Sequence, residues 1–408
     1  MKILYDHQIF EEQKFGGISR YFYEVINALD KSDNIKIDIS LKYSKNEYLK
    51  NSNFSDKAND DPHTYDKFIP GFDFKGKWSL YNLHNKIRKS INISLVNKLL
   101  SIESLKNQNF DIFHPTYYDD YFLPYLGDKP FVLTVYDMIH EIFPEYFSLS
   151  DRVSSKKRNL VKMAHKVVAI SECTKRDLIR FFGVPAEKIV VTHLATSMNN
   201  LASTDNHLPL CALLPKKYIL FVGARTIYKN FYFFITSMRL LMEADHTLHI
   251  FCTGGPFNKN ENAFLEMNGL ADRVHQHAAS DAELELLYQR ALAFVFPSLY
   301  EGFGIPVLEA FSNACPVVLA NTGSLPEIGG DAAVYFEPKN AQSVHDAMYE
   351  VLYKPGKRDE LIARGSQRLQ QFSWNKTVQQ TETVYRELMR MDSGVLDVGA
   401  SAISIAGS

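Results

Sequence analysis

Two glutamates eight residues apart, Glu301 and Glu309, bracket the run EGFGIPVLE. Carboxylates that hydrolyse a glycosidic bond stand only ~5–9.5 Å apart, whereas eight residues of helix rise ~12 Å. The spacing therefore suits gripping two ends of an elongated ligand rather than hydrolysis. Between them, Gly302 and Gly304 allow close backbone approach, and Pro306 suits a helix's first turn. The N–H groups of Phe303, Gly304 and Ile305 would then lie free at a helix N-terminus, a setting that favours an anion such as phosphate. Earlier, FVGARTIYKN places Arg225 and Lys229 four apart after an apolar run and a glycine. On a helix the two would share a face and reach one phosphate, Arg as a fork and Lys as a point charge. Together they would stabilise charge building on a leaving phosphate.

The elements that must hold these residues are legible as short apolar runs alternating with amphipathic stretches, the pattern of βα units and a parallel sheet. Expected strands are Lys2–Tyr5, Ile35–Ile39, Phe110–His114, Phe131–Tyr136, Lys166–Ile170 and Lys188–Thr192, then Tyr218–Val222, Thr247–Cys252, Phe294–Phe296 and Pro316–Leu319. Ile18, Phe22, Val25, Ile26 and Leu29 mark one helix face after the Gly16-Gly17 pair. The rhythm lapses in a stretch rich in Asn, Ser and Thr. This predicts a domain over 1–195, a linker over 196–216, a second domain over 217–374, a helix over 375–392 and a flexible tail over 393–408. Ligands of such folds bind at the carboxyl edges of the strands, here in a cleft between two sheets.

Composition narrows the class. The chain has 408 residues, enough for two or three domains with full cores, and a formal charge of −2, which excludes bulk electrostatic binding of nucleic acid. Four scattered cysteines form no CxxC pair, so neither a disulfide scaffold nor a zinc site is expected. The first ten residues lack the long apolar run of a signal peptide, and no apolar stretch is long enough to span a membrane, so a cytoplasmic chain is expected. No Asp-x-Asp occurs, so no metal is expected to hold a diphosphate and no cofactor is called for.

With FPS before it and ACPVV and SLPEIGGDAA after it, EGFGIPVLE resembles the E-x7-E motif of the retaining glycosyltransferases of family four. FVGARTIYKN resembles their Arg-x-x-x-Lys donor clamp, and FGGISRY, VYDMIHEIFPEYF and ISECTKRDLIRFFGVPAEKIVV are similar to N-domain landmarks. The resemblance implies an α/β GT-B fold, two Rossmann-like βαβ domains with parallel sheets facing across a cleft. It implies that Glu309 binds the donor ribose and Glu301 the donor sugar, that Phe303, Gly304 and Ile305 hold sugar and phosphate, and that Arg225 and Lys229 neutralise the diphosphate. Arg225, Lys229 and Glu301 are thus the catalytic candidates, with Gly16 and Gly17 facing the phosphates. The implied reaction is transfer of a sugar, mannose as first choice, from a nucleotide-diphosphate donor to a bacterial surface glycan or a lipid-linked saccharide, with retention and without metal. GDP and UDP donors both stay open.

The chain departs from that pattern in two places. HPTYY carries Thr116 where many relatives have the second His of His-x-His, and Tyr136-Asp137 stands in place of His-Asp. His114 and His140 remain as histidine candidates, and Tyr117, Asp137 and His140 are the acceptor-side candidates. Residues 75–106 carry seven basic side chains against Glu103, with Ile87, Ile91, Leu95, Val96, Leu99 and Leu100 as an apolar stripe. This stretch reads as a core helix with a charged outer face or as a contact with the inner face of an anionic membrane. Two rival functions stay in view, a GT-B nucleotide-sugar epimerase and a non-catalytic nucleotide-sugar binder.

Overall fold

The structure, a computed structural model, describes residues 1–50, 52–57, 72, 74–80, 92–198 and 209–392. The expected tail over 393–408, the middle of the linker and the centre of the basic stretch lie outside the described residues. The chain divides into two compact units. One comprises Met1–Thr134, Lys156–Val168 and the chain from Val378; the other comprises Val135–Ser155 and Ala169–Thr377.

In the first unit β1 (Lys2–Tyr5) lies between β2 (Lys36–Ile39) and β3 (Ile112–His114), all parallel, with Leu4 opposite Asp38 and Phe113. Ile3 and Tyr5 are wholly buried, as expected where helices cover both faces of a parallel sheet. A parallel bridge from Phe113 to Phe131 continues the sheet toward β4 (Val132–Val135). With β5 (Lys166–Ala169) and β6 (Ile189–Val191), β4 forms a three-stranded sheet in the order β4–β5–β6. Helix Gly17–Leu29 buries Phe22, Val25, Ile26 and Leu29, four of its five predicted core residues.

The helix Ile93–Lys106 contradicts the core-helix reading of its apolar stripe. It buries Asn97, Ser101 and Leu105, while Leu95 and Leu99 are 52% and 54% exposed. Hydrogen bonding explains the inversion. The Asn97 carboxamide bonds the backbone of Lys42 and Tyr43 and the Glu11 carboxylate, and Ser101 bonds Ser40 and His7. The polar stripe is fully partnered inside, so it can be buried without cost to its polar groups.

The second unit holds a parallel six-stranded sheet in the order β12–β11–β10–β7–β8–β9: β7 (Tyr218–Phe221), β8 (His249–Thr253), β9 (Val274–His277), β10 (Ala293–Phe296), β11 (Val317–Ala320) and β12 (Ala333–Phe336). The sequence pattern misses β9 and β12, which are the two edges. An edge strand needs less apolar cover, and VHQH in β9 carries a single aliphatic residue. The four inner strands are apolar throughout except His249 and Thr253 in β8, and they put their carboxyl ends beneath the loops of interest. Among the described residues no helix is long and apolar enough to cross a membrane.

Candidate functional site

Strand β10 is fully buried and delivers Ser298 to Gly304 to the carboxyl edge of the sheet. The loop there is held by its backbone. Gly302 packs so tightly that an added Cβ would lie 1.8 Å from the Tyr136 carbonyl oxygen. Its own carbonyl accepts hydrogen bonds from Ser171 Oγ at 2.7 Å and Thr174 Oγ1 at 3.3 Å. Ser324 Oγ lies 2.9 Å from the Glu301 carbonyl and 2.6 Å from that of Phe303. Gly304, at φ +114°, makes the left-handed turn into helix Ile305–Ser312. The N–H groups of Phe303, Gly304 and Ile305 take no partner among the described residues.

Arg225 and Lys229 do not share a helical face. Ile227–Lys229 is a single 3₁₀ turn, Asn230 is left-handed at φ +60°, and the helix proper is Phe231–Ala244. The break sends the two cations to different carboxylates. Lys229 Nζ lies 2.6 Å from Glu301 Oε1 and over the Phe296 ring. Arg225 Nε donates to Glu261 Oε1 at 2.8 Å, its Nη2 donates to the Gly255 carbonyl at 2.6 Å, and its plane rests on Phe257. Arg225 and Glu261 are 6% and 5% exposed, whereas Lys229 and Glu301 are 15% and 12%. Most of the guanidinium fork is therefore engaged internally. Nη1, whose one hydrogen bond among the described residues goes to the Thr253 carbonyl at 3.5 Å, is its least committed arm. Glu261 escaped the sequence reading because its visible signal is a helix capping box with Asn258, which the structure also shows.

Glu309 lies one turn into its helix and accepts a hydrogen bond from Tyr288 at 3.0 Å. Burial, with the Glu309 charge beside it, pushes the Tyr288 phenol well above its ordinary value, so it stays a donor. A second carboxylate not anticipated from sequence is Glu327. It accepts from His193 Nε2 at 2.7 Å and from the backbone N–H groups of Glu172 and Cys173 at 2.8 and 2.9 Å. Burial alone would raise its pKa; the His193 bond and the two amides outweigh that and hold it below the usual carboxylate range.

Of the acceptor-side candidates, Asp137 Oδ1 accepts from the Ile139 N–H at 3.1 Å at the start of a short helix, Ile139–Ile142. His140 stacks on Phe147 at 3.8 Å and sets Nε2 3.4 Å from Asp151. Gly16, Gly17 and Tyr117 belong to the first unit. Gly17 opens helix Gly17–Leu29, and Tyr117 packs on Tyr118 at 4.7 Å. His114 is also there, fully buried, its ring nitrogens 2.6 Å from Tyr385 Oη and 2.9 Å from Thr134 Oγ1. Burial lowers its pKa to about 3, so it is a neutral hydrogen-bonding residue of the interior.

Parallel sheets with a glycine-broken loop at the carboxyl edge belong to an α/β architecture of the GT-B class. Residues 15–197 match the family described as Glycosyltransferase Family 4, and residues 212–368 match Glycosyl transferases group 1. The chain belongs to this family of glycosyltransferases. It is 29% identical over 280 residues to the O-antigen chain mannosyltransferase B of Escherichia coli, covering 66% of this chain and 73% of that one. It is 28% identical over 222 residues to the O-antigen chain mannosyltransferase RfbU of Salmonella typhimurium, covering 53% of this chain and only 60% of that protein. The Anabaena protein HepE, solved with UDP and glucose, has the same fold, with a TM-score of 0.64 at 16% identity over 94% of this chain and 99% of that one.

Proposed function

We propose that this glycosyltransferase moves a sugar, mannose first among the candidates, from a nucleotide-diphosphate donor to a hydroxyl of a glycan or lipid-linked saccharide, with retention and without metal. The observation that carries the reading is Lys229 held 2.6 Å from Glu301 on the loop whose Gly304 and Ile305 amides take no partner among the described residues. An ammonium has three N–H groups. One is used on Glu301, which leaves others for a phosphate oxygen, and Arg225 contributes through Nη1. The charge on the departing diphosphate is thus met by fixed cations and amide dipoles, an electrostatic contribution that needs no ion. In the step itself the bond from the sugar's anomeric carbon to the phosphate oxygen breaks, the acceptor oxygen bonds that carbon on the same face, and the acceptor proton passes to the departing phosphate. Glu309, fixed by Tyr288, grips the ribose end.

The mannose preference is supported by the two O-antigen mannosyltransferase relatives, and the nucleotide diphosphate by the UDP complex of HepE. Contact with an anionic membrane is supported by the exposed Phe72, Trp78, Leu95 and Leu99 together with Lys75.

Incubating the protein with GDP- and UDP-sugars, with and without an octyl α-mannoside acceptor, in EDTA, tests the reading. Acceptor-dependent nucleotide release and an α-linked product by NMR are expected. Donor interconversion without acceptor would establish the epimerase instead, and binding without turnover would overturn catalysis. Glu309→Ala is expected to weaken nucleotide binding about tenfold by calorimetry.

A further inference from the structure

A groove of about 410 Å³ opens beside the transfer centre, inside the range of roughly 300–1,000 Å³ found for small-molecule sites. Its wall joins the candidate donor loop at three points. Leu299 lies two residues before Glu301, and its N–H donates to the Tyr228 carbonyl at 2.7 Å. Thr322 immediately precedes the Gly323-Ser324 pair that holds the Glu301 carbonyl, and its own hydroxyl donates to the Ser298 carbonyl at 2.9 Å. Pro338 accepts from Asn230, next to Lys229, at 2.7 Å. The turn Glu337–Asn340 is rigid, since the Glu337 N–H donates to Ser343 Oγ at 2.9 Å and Asn340 Oδ1 caps the following helix. The groove is therefore preformed.

Its chemistry is two-faced. Phe143, stacked on Tyr146 at 5.3 Å, forms an apolar floor with Leu299 and Pro338. Glu337, Lys339 and Asn340 form the polar side. Among the described residues the Lys339 ammonium and the Asn340 side-chain N–H groups take no partner, and Glu337 Oε1 accepts only from Asn321, at 3.1 Å. The carboxylate and the ammonium cancel, so the groove selects no charged ligand. A pyranose matches such a surface: its C–H face stacks on the negative face of an aromatic ring, and its hydroxyls both donate and accept. Phe143 also directly follows helix Ile139–Ile142, which carries the acceptor-side candidate His140.

We propose that this groove is a saccharide subsite that binds the acceptor glycan one or more sugars away from the reacting hydroxyl, an inference that rests on the proposed transfer to a glycan. The site would make the enzyme prefer an extended chain to a single sugar.

The test uses the full chain with GDP filling the donor site, titrated with α-linked mannotetraose and, separately, inorganic phosphate, by calorimetry and saturation-transfer NMR. The expected result is tetraose binding that Phe143→Ala weakens about tenfold and the exposed double variant Glu337→Gln/Lys339→Ala weakens several-fold, with no phosphate binding. Equal tetraose affinity in all three proteins, or phosphate binding lost with Lys339, overturns the subsite. The transfer reading fails separately: binding read this way needs no turnover, whereas transfer to octyl α-mannoside with tetraose affinity indifferent to Phe143 removes the subsite alone.

Discussion

Lys229 Nζ and Glu301 Oε1 stand 2.6 Å apart across 72 residues of chain, at the carboxyl edge of the six-stranded sheet. Neither side chain is more than 15% exposed, so each depends on the other for its charge partner. The pair is also oriented for use, because among the described residues the remaining ammonium donors take no hydrogen-bond partner.

Lys229→Ala is therefore expected to lower kcat about 10²–10³-fold, the scale seen when one transition-state donor is removed, with a smaller effect on nucleotide affinity. Lys229→Arg is expected to recover only part of the loss, since a planar fork cannot replace a point charge over the Phe296 ring. Steady-state kinetics with a saturating donor checks both.

Arg225 and Glu261 form the more deeply buried pair. Removing one partner leaves an uncompensated buried charge, so Glu261→Leu or Arg225→Met alone is expected to cost about 3–5 kcal/mol. Arg225→Met/Glu261→Leu, which removes both charges, is expected to be markedly more stable than either single change. Calorimetric melting of the four proteins closes the cycle.

Gly302→Ala places a methyl 1.8 Å from the Tyr136 carbonyl, where backbone must move. A cost on the order of 1–3 kcal/mol is expected, together with displaced Phe303–Ile305 amides. The melting temperature and the nucleotide affinity should fall together.

His114 links pH to stability. Its folded pKa, near 3, lies below the unfolded value near 6.5, so the unfolded chain binds the proton first as pH falls. Its share of stability is present above about pH 6.5 and is lost progressively down toward pH 3. Between pH 7 and pH 5 this amounts to about 2 kcal/mol. The loss should shrink in His114→Gln when the two proteins are melted at both pH values.

How far the chain could be read without coordinates depends on the range of the interaction. Helix Gly17–Leu29 was legible because burial repeats at the helical period, and strand β10 because it is a short unbroken apolar run. The glycine-broken turn into helix Ile305–Ser312 was legible because glycine and proline act on their own dihedral angles. The edge strand β9 was not, since a strand with one neighbour can be partly polar, as VHQH is. Helix Ile93–Lys106 inverted its expected face because Asn97 and Ser101 find partners 54 to 94 residues away.

Local order thus came from neighbouring residues: alternating apolar runs commit the chain to parallel α/β units, and EGFGIP commits it to a glycine-broken turn into a helix. Pairing came from strand order. The extended Thr226 and the 3₁₀ turn Ile227–Lys229 keep Arg225 and Lys229 off a common helix face, and the sheet then carries Glu261 to one and Glu301 to the other, over 36 and 72 residues. Linear spacing cannot register such pairs, because a charge selects its counter-ion by distance in space, and that distance exists only once the strands have taken their places.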